Sequence, residues 1–205
     1  MNGDASVRFF DSQFRRQLAA AEFELNPFES VALPHLRGRV LDYGCGLGNL
    51  AVRAARQGCA VLALDASPTA IDHLRTIAQQ EVLPLRAEEV DLRNYELADD
   101  FDVVVCIGLL MFFDCQTAYR QLSQLQAHVR PGGLAVINVL TEGTTYMDMF
   151  APDGHCLFKA EDLRGQFVGW DLLSCTPQEF SAPGNTRKSF VTLMARKPGA
   201  AQTDA

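Results

Sequence analysis

The sequence is short of several things. It has no CxxC pair, no internal repeat, no low-complexity block and no long apolar run. Its longest uncharged apolar stretch, Val103–Phe113, is far below the roughly 20 residues a spanning helix needs. That stretch reads instead as a buried strand and its exit. Basic residues are outnumbered, 18 Lys+Arg to 25 Asp+Glu, for a net charge of −7. This argues against broad contact with nucleic acid or an anionic membrane. The first residues carry Asp4, Arg8, Asp11, Arg15 and Arg16 and no apolar h-region, unlike a secretory leader. The six cysteines (45, 59, 106, 115, 156, 175) follow no metal or disulfide spacing. They are expected to pack as small hydrophobes in a reduced, cytoplasmic protein. No metal site is expected: His155-Cys156 is an adjacent pair without a supporting ligand cluster.

What is present is alternation. Strand-type runs at Arg39–Tyr43, Ala60–Leu64, Leu83–Ala87, Asp102–Ile107 and Leu134–Leu140 are separated largely by helix-length stretches. Ser67 and Pro68 mark a helix start, as N-cap and first helical residue. Arg130-Pro131-Gly132-Gly133 reads as a helix stop and turn. Such repetition implies a parallel sheet covered on both faces. Two last runs, Asp171–Cys175 and Ser189–Arg196, flank a Pro/Gly/Asn-rich loop at Thr176–Thr186 and predict an antiparallel hairpin. Residues 1–37 would form a helical cap, 38–197 the core and 198–205 a flexible tail.

One segment carries chemistry. In Val40-Leu41-Asp42-Tyr43-Gly44-Cys45-Gly46-Leu47-Gly48-Asn49 a strand ends in three closely spaced glycines that open a helix. The backbone can turn tightly there and let a ligand lie against main-chain N–H groups. Asp65 ends the second strand, where a carboxylate can accept both hydroxyls of a ribose. The spacing departs from the dinucleotide fingerprint, because Asn49 holds the position of its last glycine. Asp42 would also repel a pyrophosphate, whereas it suits a ligand carrying an ammonium and a sulfonium.

This pattern resembles the class I S-adenosylmethionine (SAM) methyltransferases. The resemblance implies a Rossmann-like α/β three-layer sandwich, a mostly parallel seven-stranded sheet with a C-terminal antiparallel hairpin. It places Asp42, Gly44, Cys45 and Gly46 along the methionine part of SAM, and Asp65 and Ala66 at the ribose. Asp91 and Leu92 would meet the adenine, and Gly108 and Leu109 would line the cleft. S-adenosylhomocysteine would be the product.

The acceptor leaves fainter marks. Cys106–Phe113 lacks the Asn/Asp-Pro-Pro-Tyr motif of amino methyltransferases, and no Pro-Cys nucleophile of a cytosine C5 enzyme occurs. A small molecule is therefore the expected partner. Phe9–Phe14, Leu109–Phe113, Arg130–Gly133, Phe158–Leu163, Gly169-Trp170 and Met194–Lys197 resemble the tellurite-resistance methyltransferases, which methylate chalcogen oxyanions. Around the last hairpin Arg187 and Lys188 remain, but a His-Arg pair of that family is missing and Glu179 stands nearby. Chalcogen oxyanions, thiols, thio-heterocycles and small acids all stay open. Phe10, Phe14, Phe112, Tyr146, Met147, Phe150 and Arg187 are the candidate acceptor pocket, and His155 the candidate general base. Two other readings compete: a non-catalytic SAM or S-adenosylhomocysteine binder, and an NAD(P)-dependent oxidoreductase. The second is disfavoured by Asp42, the glycine spacing and the absence of a Tyr-x-x-x-Lys pair. Oligomeric state is not legible, and monomer and homodimer are equally open.

Overall fold

Strand β1 (Arg39–Tyr43) is an inner strand of a seven-stranded sheet in a computed structural model that describes residues 3–150 and 154–199. The expected tail lies, from residue 200 onward, outside the described residues. Its neighbours are β2 (Ala60–Asp65) and β4 (Phe101–Ile107), both parallel to it. Beyond them lie β3 (Leu85–Glu89) on one side and β5 (Val129–Leu140) on the other, also parallel. The sheet ends in β7 (Thr186–Arg196) and β6 (Asp171–Ala182), antiparallel, giving the order β3-β2-β1-β4-β5-β7-β6. Chain order reverses between β1 and β4, so the carboxyl ends of these strands open a crevice, the usual ligand position of such sheets.

Both sheet faces are covered. Alternation along β1 sends Leu41 and Tyr43 into one core cluster, with Phe101, Leu122 and Phe158. Val40 goes into the other, with Leu50, Ala54, Ile71 and Leu74. The helices are α1 (Gly3–Ala20), α2 (Pro27–Ala32), α3 (Asn49–Arg56), α4 (Pro68–Gln80), α5 (Cys115–Ala127) and α6 (Ala160–Gly165). Ser67 does cap α4, accepting a hydrogen bond from the Ala70 N–H at 3.2 Å.

Three expectations are corrected. The Thr176–Thr186 loop is mostly strand: β6 runs on to Ala182 and only Pro183–Asn185 turns. Pro177 is tolerated because β6 is an edge strand. Phe180, across from Lys188, reaches the Phe28 ring of α2 at 5.7 Å, a contact no local pattern announces. Arg130–Gly133 is drawn into β5 rather than ending its helix, which stops at Ala127. Finally, Cys115 and Cys156 are joined in a disulfide. It ties the start of α5 to the chain after β5, so these two cysteines do more than pack. Among the described residues, no helix is long and apolar enough to cross a membrane.

Candidate active site

The crevice holds a cavity of about 320 Å³. Its floor is the glycine loop. Gly44, Gly46 and Gly48 all have positive φ (80°, 54° and 70°), which a side chain would strain. Space is as limiting as φ: a Cβ on Gly44 would lie 2.8 Å from Leu109, and one on Gly46 would lie 3.2 Å from Phe14. The loop is pinned to β2, with the Gly44 and Cys45 N–H groups donating to the Leu64 carbonyl at 2.8 and 3.0 Å.

Asp42 lies at the end of β1 and borders the cavity, although only 5% of its surface is exposed. No described residue donates a hydrogen bond to its carboxyl or forms an ion pair with it. Burial, then the neighbouring Glu29 and Asp65, push this carboxyl up to about 8. Asp65 is better served: its oxygens accept from the Gly46 N–H at 2.8 Å and the Ser67 N–H at 2.9 Å. Burial still raises it above the ordinary carboxylate range. A carboxylate has about four lone-pair sites, so it keeps capacity for hydroxyl donors. Cys45 is buried beside Asp65 and Asp42, which together with burial hold its thiol protonated.

The far end of the cavity is formed by Asp91, Leu92 and Arg93. Asp91 closes its own loop, accepting from the Arg93 N–H at 3.1 Å and the Asn94 amide at 2.8 Å. A buried network props this loop from behind. The Tyr43 hydroxyl donates to the Leu92 carbonyl at 2.7 Å, and the Gln121 amide donates to the Arg93 carbonyl at 2.8 Å. The Arg93 guanidinium lies over the Phe113 ring at 5.3 Å.

Helices α1 and α2 complete the walls. Phe10 and Phe14 of α1 line the cavity, and Phe10 meets Phe112 edge-to-face at 4.8 Å. From α2 and the turn before it come Glu24, Asn26 and Glu29. Thus Asp42, Gly44, Cys45, Gly46, Asp65, Ala66, Asp91, Leu92, Gly108, Leu109, Phe10, Phe14 and Phe112 all converge on one cavity. Tyr146, Met147, Phe150, Arg187 and His155 do not reach it. Phe150 stands behind Phe112 at 5.1 Å and stacks on His155 at 4.8 Å. The Arg187 Nε donates to the Gly143 carbonyl at 3.0 Å, and Tyr146 lies under Lys188. The candidate base and the candidate oxyanion cation are therefore held elsewhere.

Sequence reasoning missed Glu29, Asn26, Gln13, Gln17 and Arg93 among the lining residues. One signal was available. Asn26-Pro27-Phe28-Glu29 has the form of a capping box, and the box is present: Asn26 Oδ1 accepts from the Glu29 N–H, and Glu29 Oε2 from the Asn26 N–H.

Residues 40–133 match a family model described as a methyltransferase domain. A curated relative, "Hemagglutinin 1" of Eikenella corrodens, is 32% identical over 167 residues, 78% of this chain and 55% of that protein. The chain spans about half the length of the curated relatives it matches. Among solved structures, TehB from Haemophilus influenzae superposes with a TM-score of 0.72 at 20% identity, covering 84% of this chain and 62% of that one. The N-methyltransferase NodS from Bradyrhizobium japonicum, in complex with S-adenosylhomocysteine, gives 0.67 at 18% identity, over 92% and 98%. Fold, glycine loop and domain match point the same way: over residues 40–133 the chain is similar to methyltransferase domains, and its sheet order is that of the class I SAM-dependent fold. SAM is the cofactor of that family. Among these structures, its fold superposes well on TehB.

Proposed function

We propose that this protein transfers a methyl group from SAM to a small, uncharged and largely apolar acceptor. The observation that carries the reading is the buried Asp42 carboxyl, unpartnered and bordering a cavity floored by glycines that leave no room for side chains. An unpaired buried carboxyl is costly, and a cationic ligand relieves that cost. SAM supplies, when bound, an activated methyl on a sulfonium leaving group. Asp42 and the glycine loop are assigned to its methionine portion, Asp65 to the ribose, and Asp91 with Leu92 to the adenine. Phe10, Phe14, Phe112 and Leu109 exclude water and present an apolar wall to the acceptor.

Charge supports the acceptor class. The cavity is lined by Glu24, Glu29, Asp42, Asp65 and Asp91 against Arg93, whose guanidinium is stacked on Phe113. A chalcogen oxyanion would meet net repulsion there, and Arg187 and Lys188 stand away. A thiol or a thio-heterocycle fits better, and nothing favours nucleic acid.

Calorimetry with SAM, S-adenosylhomocysteine and NAD tests the cofactor. At 100 times Kd a bound ligand adds about 2.7 kcal/mol, a melting shift of roughly 5–11 °C for a chain of this size. Silence with both sulfur ligands, or a larger response to NAD, defeats the proposal. S-adenosylhomocysteine release against thiols, thiopurines, tellurite and selenite then tests the acceptor, with turnover expected from the neutral sulfur compounds. A binder with no turnover on any acceptor would favour the non-catalytic alternative.

A further inference from the structure

Glu29 lies outside the glycine motif, thirteen residues before Asp42 in the chain, yet it borders the same cavity. Its electrostatic influence falls on Asp42 and on Cys45 of the glycine loop, the end of the cavity assigned to the methionine portion. One of its oxygens is occupied by the Asn26 N–H at 2.8 Å. Helix α2 thereby holds the carboxyl by its own capping box instead of leaving it to swing in solvent. Arg53 is the cation that acts on it, and the Arg53 Nη2 is engaged with Glu24 at 3.5 Å. Two carboxyls thus border one cavity, and the buried one, Asp42, has no partner at all among the described residues. Like charges brought together this way repel unless a cation or proton lies between them.

We propose that Glu29 is a cofactor-binding residue that, with Asp42, forms a two-carboxylate cradle for the ammonium group of the methionine portion of SAM and S-adenosylhomocysteine. This rests on the methyltransferase reading above. An ammonium has three donors in a compact head, which suits two acceptors arriving from different elements. A neutral amide at either position would still accept from the ammonium but would remove one of the two opposing charges. The cradle joins α2 to β1, so the amino-acid end of the cofactor is read by the cap as well as by the core.

The test compares two ligands that share the thioadenosine part. S-adenosylhomocysteine carries the amino acid; 5′-methylthioadenosine does not. Glu29→Gln is the variant of choice, because glutamine at this position can still accept from the Asn26 N–H and keep the cap. Calorimetry is expected to show S-adenosylhomocysteine weakened by roughly tenfold or more, and 5′-methylthioadenosine unchanged within about twofold. An unaltered melting temperature of the ligand-free variant confirms the cap. Equal loss for both ligands would make Glu29 a purely structural residue and overturn the inference, as would unchanged S-adenosylhomocysteine affinity. If neither ligand binds the parent protein, the methyltransferase reading itself fails.

Discussion

Asp42 concentrates the electrostatics of the site in one residue. Burial and the nearby Glu29 and Asp65 raise it to about 8 from an ordinary value of 3.8. In the ligand-free protein the folded chain therefore holds a proton that the unfolded chain has already released. This contribution to stability is present below about pH 4 and is lost as pH rises to about 8. Asp42→Asn removes it, so the ligand-free variant is expected to gain stability relative to the parent steadily across that window. Parallel melting curves from pH 4 to 8 would contradict the assignment. The same variant is expected to bind SAM at least tenfold more weakly, roughly the worth of one charge-assisted hydrogen bond. Asp42 was legible in the sequence because its position follows from strand and glycine spacing. Glu29 was not, because no spacing rule connects a capping box on one element to a carboxyl on another.

At the scale of the element, α1 is the part of the cap with a visible fastening. Asp11 accepts from the Ser67 hydroxyl at 2.7 Å and the Thr69 N–H at 3.2 Å, at the start of α4. Burial works to raise this carboxyl, but those hydrogen bonds, with Arg15 beside it, hold it below its ordinary value. The tie sets Phe10 against Phe112 and Phe14 against Gly46. Asp11→Ala is expected to loosen α1 and weaken S-adenosylhomocysteine by up to about thirtyfold, from two hydrogen bonds of about 1 kcal/mol each. Faster proteolysis within α1 should accompany the loss; full affinity in the variant would show that α1 is not needed to close the cavity. The central strands and α4 were readable because short periodic runs with clear caps dictate them. The hairpin itself was legible, but its loop was read too long because Pro177, Gly184 and Asn185 signal a turn. Pairing along β7, not local propensity, extends β6 to Ala182.

For the whole molecule, the Cys115–Cys156 bond closes a loop of 41 residues that contains β5 and its exit. In the chain-entropy view such a closure contributes about 2–4 kcal/mol, or roughly 4–16 °C in melting temperature for a protein of this size. Adding reductant is expected to lower the melting temperature of the parent protein by that amount. It should leave a Cys115→Ser, Cys156→Ser double variant unmoved. Equal reductant sensitivity in both would show that the bond does not contribute to stability.

The sequence by itself determined the alternating architecture, the glycine loop and the row Asp42, Asp65, Asp91. These depend on residues close in the chain, where backbone geometry and periodicity act directly. Tertiary structure alone decided the rest. It brought Glu29 to Asp42, stacked Arg93 on Phe113, paired Cys115 with Cys156, and kept His155 and Arg187 out of the cavity. Each of these depends on how elements distant in sequence pack. The free energy of burying apolar faces selects that packing, and the polar side chains are carried to wherever it leaves them.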